Sequence, residues 1–199
     1  VVGDDGIARC GWAGRDAEYL RYHDEEWGTP LHGDRALFEK LCLEGFQSGL
    51  SWITILKRRP AFRELFLGFD IDLVARFGES DVERLMGDTR IIRNRAKIEA
   101  TVSNARAARD LVDGHPGALD TLMWGYAPEP RTVAPEDYRD VAAFTAESSA
   151  LSAELKGLGF RFVGPTTVYA LMQSAGMVDD HERGCWRSSA QTAGAVGGT

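Results

Sequence analysis

The chain has 199 residues, 44% apolar and 27% charged, with 30 acidic against 23 basic side chains for a net charge of −7. That length supports one well-buried domain or two small lobes, and no apolar run approaches the roughly 18 residues of a membrane span, which excludes a helical membrane protein. Three cysteines, an odd number, and an opening without signal-like regions predict a reducing cytoplasm. The acidic sum (pI near 5.2) counts against nucleic acid as a partner, but it hides a local run. Between Arg90 and Arg109 the basic residues are Arg90, Arg93, Arg95, Lys97, Arg106 and Arg109, against the single acid Glu99. Such a run is either a solvated helix face or a phosphate-facing patch.

Helical periodicity runs nearly throughout and no alternating strand stands out, so the predicted class is all-α. Asp16 caps a first helix carrying Tyr19, Tyr22 and His23. A long helix is predicted from Asp34 to Lys57, with Pro60 marking the approach to its break. Asp70 or Asp72 opens a short helix through Val74 and Phe77, and Ser80-x-x-Glu83 reads as a capping box for a helix ending near Met86. A basic helix from Ile91 to Val112 stops at Asp113-Gly114-His115-Pro116, and a short helix holds Leu119, Leu122, Met123 and Trp124. Residues 127–141, with three prolines, predict an extended crossing between two helical lobes. Ser148 or Ser149 caps a helix reaching Lys156, a glycine hairpin follows, and Pro165 opens the next helix. From residue 187 onward the chain has little to bury and reads as a disordered tail, leaving 1–186 as one domain.

Two Cys/His pairs lie at opposite ends of the chain, Cys10 with His23 and His181 with Cys185. The His181-x₃-Cys185 spacing would put both side chains on one helical turn, and thiolate with imidazole suits Zn²⁺. Four protein ligands would close the site, so such a zinc would clip the termini together rather than catalyse. Neither half is a specific motif alone, and an ordinary solvent-facing helix end remains the alternative.

Within the long predicted helix, at about 100° per residue, Leu37, Leu41, Glu44, Ser48, Ser51, Trp52 and Ile55 fall within about 60° of one direction. Glu44 therefore lies on the inward stripe. An inward carboxylate needs partners or a cavity. Gly45 and Gly49 are each unfavourable in a helix by about 1 kcal/mol, which points to close approach of another group. The two readings are a pocket and a structurally paired buried acid. In the hairpin, glycine amides and the following helix N-terminus can hold a phosphate without many lysines; the alternative is a plain αα-turn.

The stretches Arg9-Cys10-Gly11-Trp12, Tyr22-His23-Asp24-Glu25-Glu26-Trp27-Gly28, Leu41-Cys42-Leu43-Glu44-Gly45-Phe46-Gln47-Ser48-Gly49-Leu50-Ser51-Trp52, Ile91-Ile92-Arg93-Asn94-Arg95-Ala96-Lys97-Ile98, Gly159-Phe160-Arg161-Phe162-Val163-Gly164 and Asp179-Asp180-His181 resemble, in order over about residues 7–186, the 3-methyladenine DNA glycosylase I family of the helix-hairpin-helix superfamily. The resemblance implies a bilobed all-α fold with one structural Zn²⁺ on Cys10, His23, His181 and Cys185. It implies removal of N3-methyladenine from double-stranded alkylated DNA by a monomer in a bacterial cytoplasm, with no organic cofactor and no membrane partner. Trp12, Tyr19, Tyr22, Glu44 and Trp52 would line the base site, with Glu44 contacting the methylated base as the catalytic carboxylate. The hairpin (Gly159, Arg161, Gly164) and the basic run (Arg93, Arg95, Lys97) would meet DNA. Two departures stand out: Pro165 where the family has threonine, and Trp186 after Cys185 where further cysteines occur. A cationic N3-methylated adenine leaves as a neutral base, so extrusion, stacking and charge stabilisation suffice without a strong general acid. No lysine stands ready as a Schiff-base nucleophile, which predicts no lyase activity. Two other classes compete: a zinc-clipped damage-binding module without turnover, and a metal-dependent hydrolase using Glu44, which would need an open metal position.

Overall fold

The structure is a computed structural model that describes residues 1–190. Among these the regular structure is helical, with one isolated bridge between Val2 and Ala8. Helix α1 (Ala17–Glu25) starts where Asp16 accepts the amides of Glu18 and Tyr19 at 3.0 and 3.3 Å, the cap read from sequence.

The long helix expected from Asp34 to Lys57 is two helices, α2 (Asp34–Gln47) and α3 (Trp52–Leu65). Gly49 takes the left-handed conformation at φ 81° and the Gln47 side-chain amide donates to Leu50 O at 2.7 Å, so the chain turns between them. Lys97 supplies the rest of the stop: its Nζ reaches Phe46 O at 2.8 Å and Ser48 O at 2.6 Å, satisfying carbonyls that α2 leaves open. Pro60, expected to herald a break, lies inside α3, which continues because Phe62 and Leu65 are buried beyond it. Residues 40–46 of α2 are all buried, making this the central helix. A helix covered on every side directs Glu44 inward whether or not the stripe continues into α3.

Helix α4 (Ile71–Ala75) is capped by Asp70. Helix α5 (Glu79–Gly87) starts after Gly78, whose amide donates to Asp81 Oδ2 at 3.1 Å, and not with the expected Ser80/Glu83 box. The basic helix α6 (Arg95–Val112) begins at its Asn94 cap, four residues later than expected, and α7 (Ala118–Trp124) follows. The segment 127–141 has only a short 3₁₀ turn at Tyr138–Asp140, as its prolines predict. Helix α8 (Ala146–Gly157) takes Thr145 as cap instead of Ser148 or Ser149, and α9 (Pro165–Ser174) opens with proline in its first turn. Of the expected tail, residues 187–190 are tied to the body, Arg187 Nη2 donating to Thr29 at 2.7 Å, while 191–199 lie outside the described residues.

One buried cluster extends from Leu37 to Val178, with Phe46 against Phe62 at 4.6 Å and Phe66 against Phe69 at 5.4 Å between ring centroids. Each such phenyl contributes about 1.5–3 kcal/mol of burial, which anchors α2 and α3 as a rigid floor. The α8–α9 hairpin is tied to α6 and braced within itself. Asn104 bonds Arg161 through both ends of its amide, at 3.0 and 2.7 Å, and Ser152 donates to Val163 O at 2.6 Å. A Cβ on Gly45 would meet the Phe162 Cβ at 3.5 Å, an ordinary contact distance, so the hairpin packs onto α2 here without requiring a glycine.

Candidate active site and metal cluster

Cys10, His23, His181 and Cys185, from the two ends of the chain, come together with their ligand atoms within 4.8 Å of one another, all four residues buried. Cys185 Sγ is 3.4 Å from His23 Nε2 and 3.6 Å from His181 Nδ1, and Cys10 Sγ is 3.5 Å from His181 Nδ1. His181 and Cys185 sit on an irregular turn and not on the predicted helical turn. The turn suits the thiols better, because backbone amides of Glu182 and Arg187 donate to the two sulfurs at 3.3 and 3.5 Å. Asp24 bonds His23 Nδ1 at 2.8 Å, which directs Nε2 toward the sulfurs. Arg9 holds that aspartate at 2.8 Å and its guanidinium keeps the Asp24 carboxyl far below the usual range. Gly28, at φ 74°, is required here: a Cβ would stand 2.7 Å from His181 Nε2.

The cluster backs directly onto a cavity of about 350 Å³. Trp12 packs against His23 at 5.3 Å and Trp27 against His181 at 4.6 Å, and both tryptophans line the cavity. Trp12 also meets Tyr19 at 5.2 Å and Tyr22 at 6.4 Å, while Tyr22 lies 5.5 Å from Trp52. All five base-site residues expected from sequence, Trp12, Tyr19, Tyr22, Glu44 and Trp52, are therefore in one lining. Glu44 is 4% exposed and accepts one hydrogen bond, from Ser174 Oγ at 3.1 Å. Burial pushes its carboxyl up to about 7, against the opposing pull of the Lys40 charge and the Ser174 hydroxyl. A carboxylate in an aromatic cavity suits an electron-poor, cationic planar ligand.

Sequence reasoning did not name Trp27, Gln173, Ser174 or Asp180 as part of this lining. The last three follow the hairpin on and after α9, where no local pattern marks a polar edge facing a cavity. Asp180 is paired with Arg131 at 2.8 Å and accepts from Tyr169 and Gln173 at 2.7 and 2.8 Å, so its charge is taken up within that network. Lys40, likewise unnamed, lies behind Tyr22 and Trp52, its Nζ 5.1 and 5.5 Å from their centroids.

The residues expected to meet DNA divide. Gly159, Arg161 and Arg93 are exposed, and Gly164 caps α9 with no side chain over the helix amides. Arg95 is ion-paired with Glu79 at 2.8 Å, with Glu83, and with Glu99 at 3.4 Å, and Lys97 is the buried cap on α2 described above. Leu50 stands 38% exposed on the Gly49 turn, whose neighbour Gln47 lines the cavity.

A helical scaffold that sets a buried carboxylate of α2 among aromatic faces, with an open helix N-terminus on the neighbouring hairpin, defines a helical protein with a pocket suited to a planar cationic ligand. A profile of the methyladenine glycosylase family matches residues 12–188. DNA-3-methyladenine glycosylase 1 of Escherichia coli (strain K12) is 44% identical over 180 residues, covering 90% of this chain and 96% of that protein. A crystal structure of 3-methyladenine DNA glycosylase I superimposes with a TM-score of 0.86 at 42% identity, over 91% of this chain and 100% of that one. The 3-methyladenine DNA glycosylase I of Staphylococcus aureus, solved for its recognition of 3-methyladenine, superimposes with a TM-score of 0.83 at 36% identity, over 89% and 94% of the two chains. The chain belongs to the methyladenine glycosylase family.

Proposed function

We propose that this protein is a monofunctional DNA glycosylase that hydrolyses the N-glycosidic bond of N3-methyladenine in double-stranded alkylated DNA, acting as a monomer through a single domain over 1–186. The observation that carries the reading is Glu44, buried and singly hydrogen-bonded in a cavity walled by Trp12, Tyr19, Tyr22 and Trp52. Methylation at N3 places a positive charge on the base and weakens its bond to the sugar, so the protein's task is to select and hold the extruded nucleotide. The aromatic faces stack the base, and the ionised Glu44 complements a charge that unmodified adenine lacks. No lysine lines the cavity among the described residues, which favours water over an enzyme amine as the acceptor of the sugar.

DNA would be held by the hairpin, where the open amides of α9 beyond Gly164 would donate to phosphate on the same hairpin as the exposed glycine at 159, with Arg161 and Arg93 as the exposed cations of the same reading. Leu50 at the rim is an apolar side chain suited to fill the gap left by an extruded base. The Cys₂His₂ cluster would hold a structural Zn²⁺, since two thiols receiving amide bonds and a carboxylate-oriented imidazole are a soft, closed donor set. Bound there, the ion would contribute folding energy and no chemistry. The two imidazoles, His23 against Trp12 and His181 against Trp27, would keep those tryptophans seated in the cavity wall.

Incubating the protein with methylated duplex DNA and quantifying free bases tests the reading. Release of N3-methyladenine over many turnovers supports it. Tight binding to methylated DNA with no free base would assign a damage-binding module instead.

A further inference from the structure

Lys40 lies on α2 one turn before Glu44 and is only 8% exposed. Among the described residues its ammonium has no hydrogen-bond or ion-pair partner. A buried cation in that condition is costly unless nearby charge and polarisable groups offset it. It borders a second cavity of about 210 Å³, which Ser174 separates from the base pocket. The faces of Tyr22 and Trp52 lie between it and the place of the base, and their π-systems account for part of its tolerance.

The neighbouring charges identify what else offsets it. Just past α1, Glu26 is bound by Arg59 of α3 at 2.7 Å. On α2, Glu39 is bound by Arg63 of α3 at 2.7 Å. Around Glu44 stand the hydroxyls of Tyr19 and Tyr22 from α1 and of Ser174 from α9, none of them charged. With those pairs made, Lys40 and Glu44 are the cation and anion of this region left without a direct ion pair among the described residues.

We propose that Lys40 is a positioning residue of the base pocket, whose ammonium, set behind the Tyr22–Trp52 pair, keeps the buried Glu44 carboxylate charged before the base arrives. The assignment rests on the base-pocket reading of the cavity. Burial drives both groups toward neutrality, lowering Lys40 and raising Glu44, and each opposes that drift in the other. Without the cation Glu44 would hold its proton at neutral pH and offer a cationic base a neutral acid.

The test titrates the Glu44 carboxyl by NMR in the free protein, comparing wild type with Lys40→Met, which keeps length and loses charge, and Lys40→Arg, which restores charge. The midpoint should lie near 7 in wild type, rise in the methionine variant and return in the arginine variant. The acid limb of kcat/KM for methyladenine release should move with it, about tenfold for each pH unit, with the alkaline plateau retained. Equal midpoints in wild type and Lys40→Met, or a rise that arginine does not reverse, would overturn the assignment. Because the titration needs no substrate, a shifted midpoint in a protein that releases no base would instead overturn the glycosylase reading. If Lys40→Met does not fold, the reciprocal measurement decides: the Lys40 ammonium should titrate at lower pH in Glu44→Gln than in wild type, and an unchanged midpoint overturns the proposal.

Discussion

Ser174, the last residue of α9, donates a 3.1 Å hydrogen bond to Glu44 on α2, across 130 residues of chain. The same helix starts at Gly164, the open end of the hairpin, so a single rigid rod about 15 Å long joins the expected phosphate contact to the recognition carboxylate. On the proposed reading, where the backbone of DNA is gripped would fix where the base is read.

Ser174→Ala removes the hydrogen bond that the Glu44 carboxylate accepts, the one found among the described residues, and with it one influence that keeps its carboxyl down. Hydrogen bonds to charged groups contribute about 1.5–3 kcal/mol, so kcat/KM for methyladenine release near neutral pH should fall about 10- to 100-fold. The drop should shrink as pH rises, because alkaline solution ionises Glu44 without help. A loss of the same size at every pH would show that Ser174 acts by packing.

Glu44 should also govern how stability depends on pH. Its carboxyl titrates near 7 when folded, above the ordinary 4.5, so the folded state keeps a proton that the unfolded chain releases. Stability from this group is present below pH 4.5 and is lost as pH rises toward 7, by about 3 kcal/mol in total. Glu44→Gln abolishes that dependence. Chemical denaturation at pH 4 and pH 8 should find the glutamine variant gaining on wild type at the higher pH, and a constant difference would contradict the burial argument.

For the Cys₂His₂ cluster, purified protein should contain about one zinc per chain, the number for a single closed site. Cys185→Ser should lose metal and stability together. Gly28→Ala is the subtler probe: its Cβ would press on His181 at 2.7 Å, so metal content should fall though no ligand has changed. Elemental analysis checks both, and undiminished zinc in Cys185→Ser would remove the site.

At the hairpin, a Cβ on Gly164 meets nothing within 4 Å and its φ of −63° suits any residue, so Gly164→Asp should fold normally. The added carboxylate caps α9 and repels phosphate. Duplex affinity should fall, with a shallow salt dependence in wild type because few side-chain cations take part. Wild-type affinity in this variant would leave the hairpin a plain turn.

Much of this site was legible in the sequence because its chemistry is concentrated in a few unusual residue choices. Glu44 among apolar neighbours and paired Cys/His at both ends announced themselves, and the hairpin glycines marked a turn. The angular count reached a sound result for Glu44 by an incomplete route: the helix it assumed breaks at Ser48–Ser51, and Trp52 joins the cavity from α3. A local pattern cannot show that Lys97, 51 residues from Phe46, would cap the end of α2. That job turned an expected DNA contact inward. Lys40 was within reach of the count, at about 60° from the centre of the stripe, but a lysine reads as solvent-facing until the helix is known to be covered on every side.

On the proposed function, the cavity selects a cationic methylated base through Glu44 and stacks it on Trp52. The most direct test of this incubates wild type, Glu44→Gln and Trp52→Ala with methylated duplex DNA and with uracil-containing duplex DNA, and quantifies each free base. Wild type should release N3-methyladenine and leave uracil in place. Glu44→Gln should lose most of that release while staying folded, and Trp52→Ala should weaken it by the roughly 1–3 kcal/mol of one stacked base. Full methyladenine release by Glu44→Gln, or uracil release by wild type at a comparable rate, would rule out selection of the base by this carboxylate.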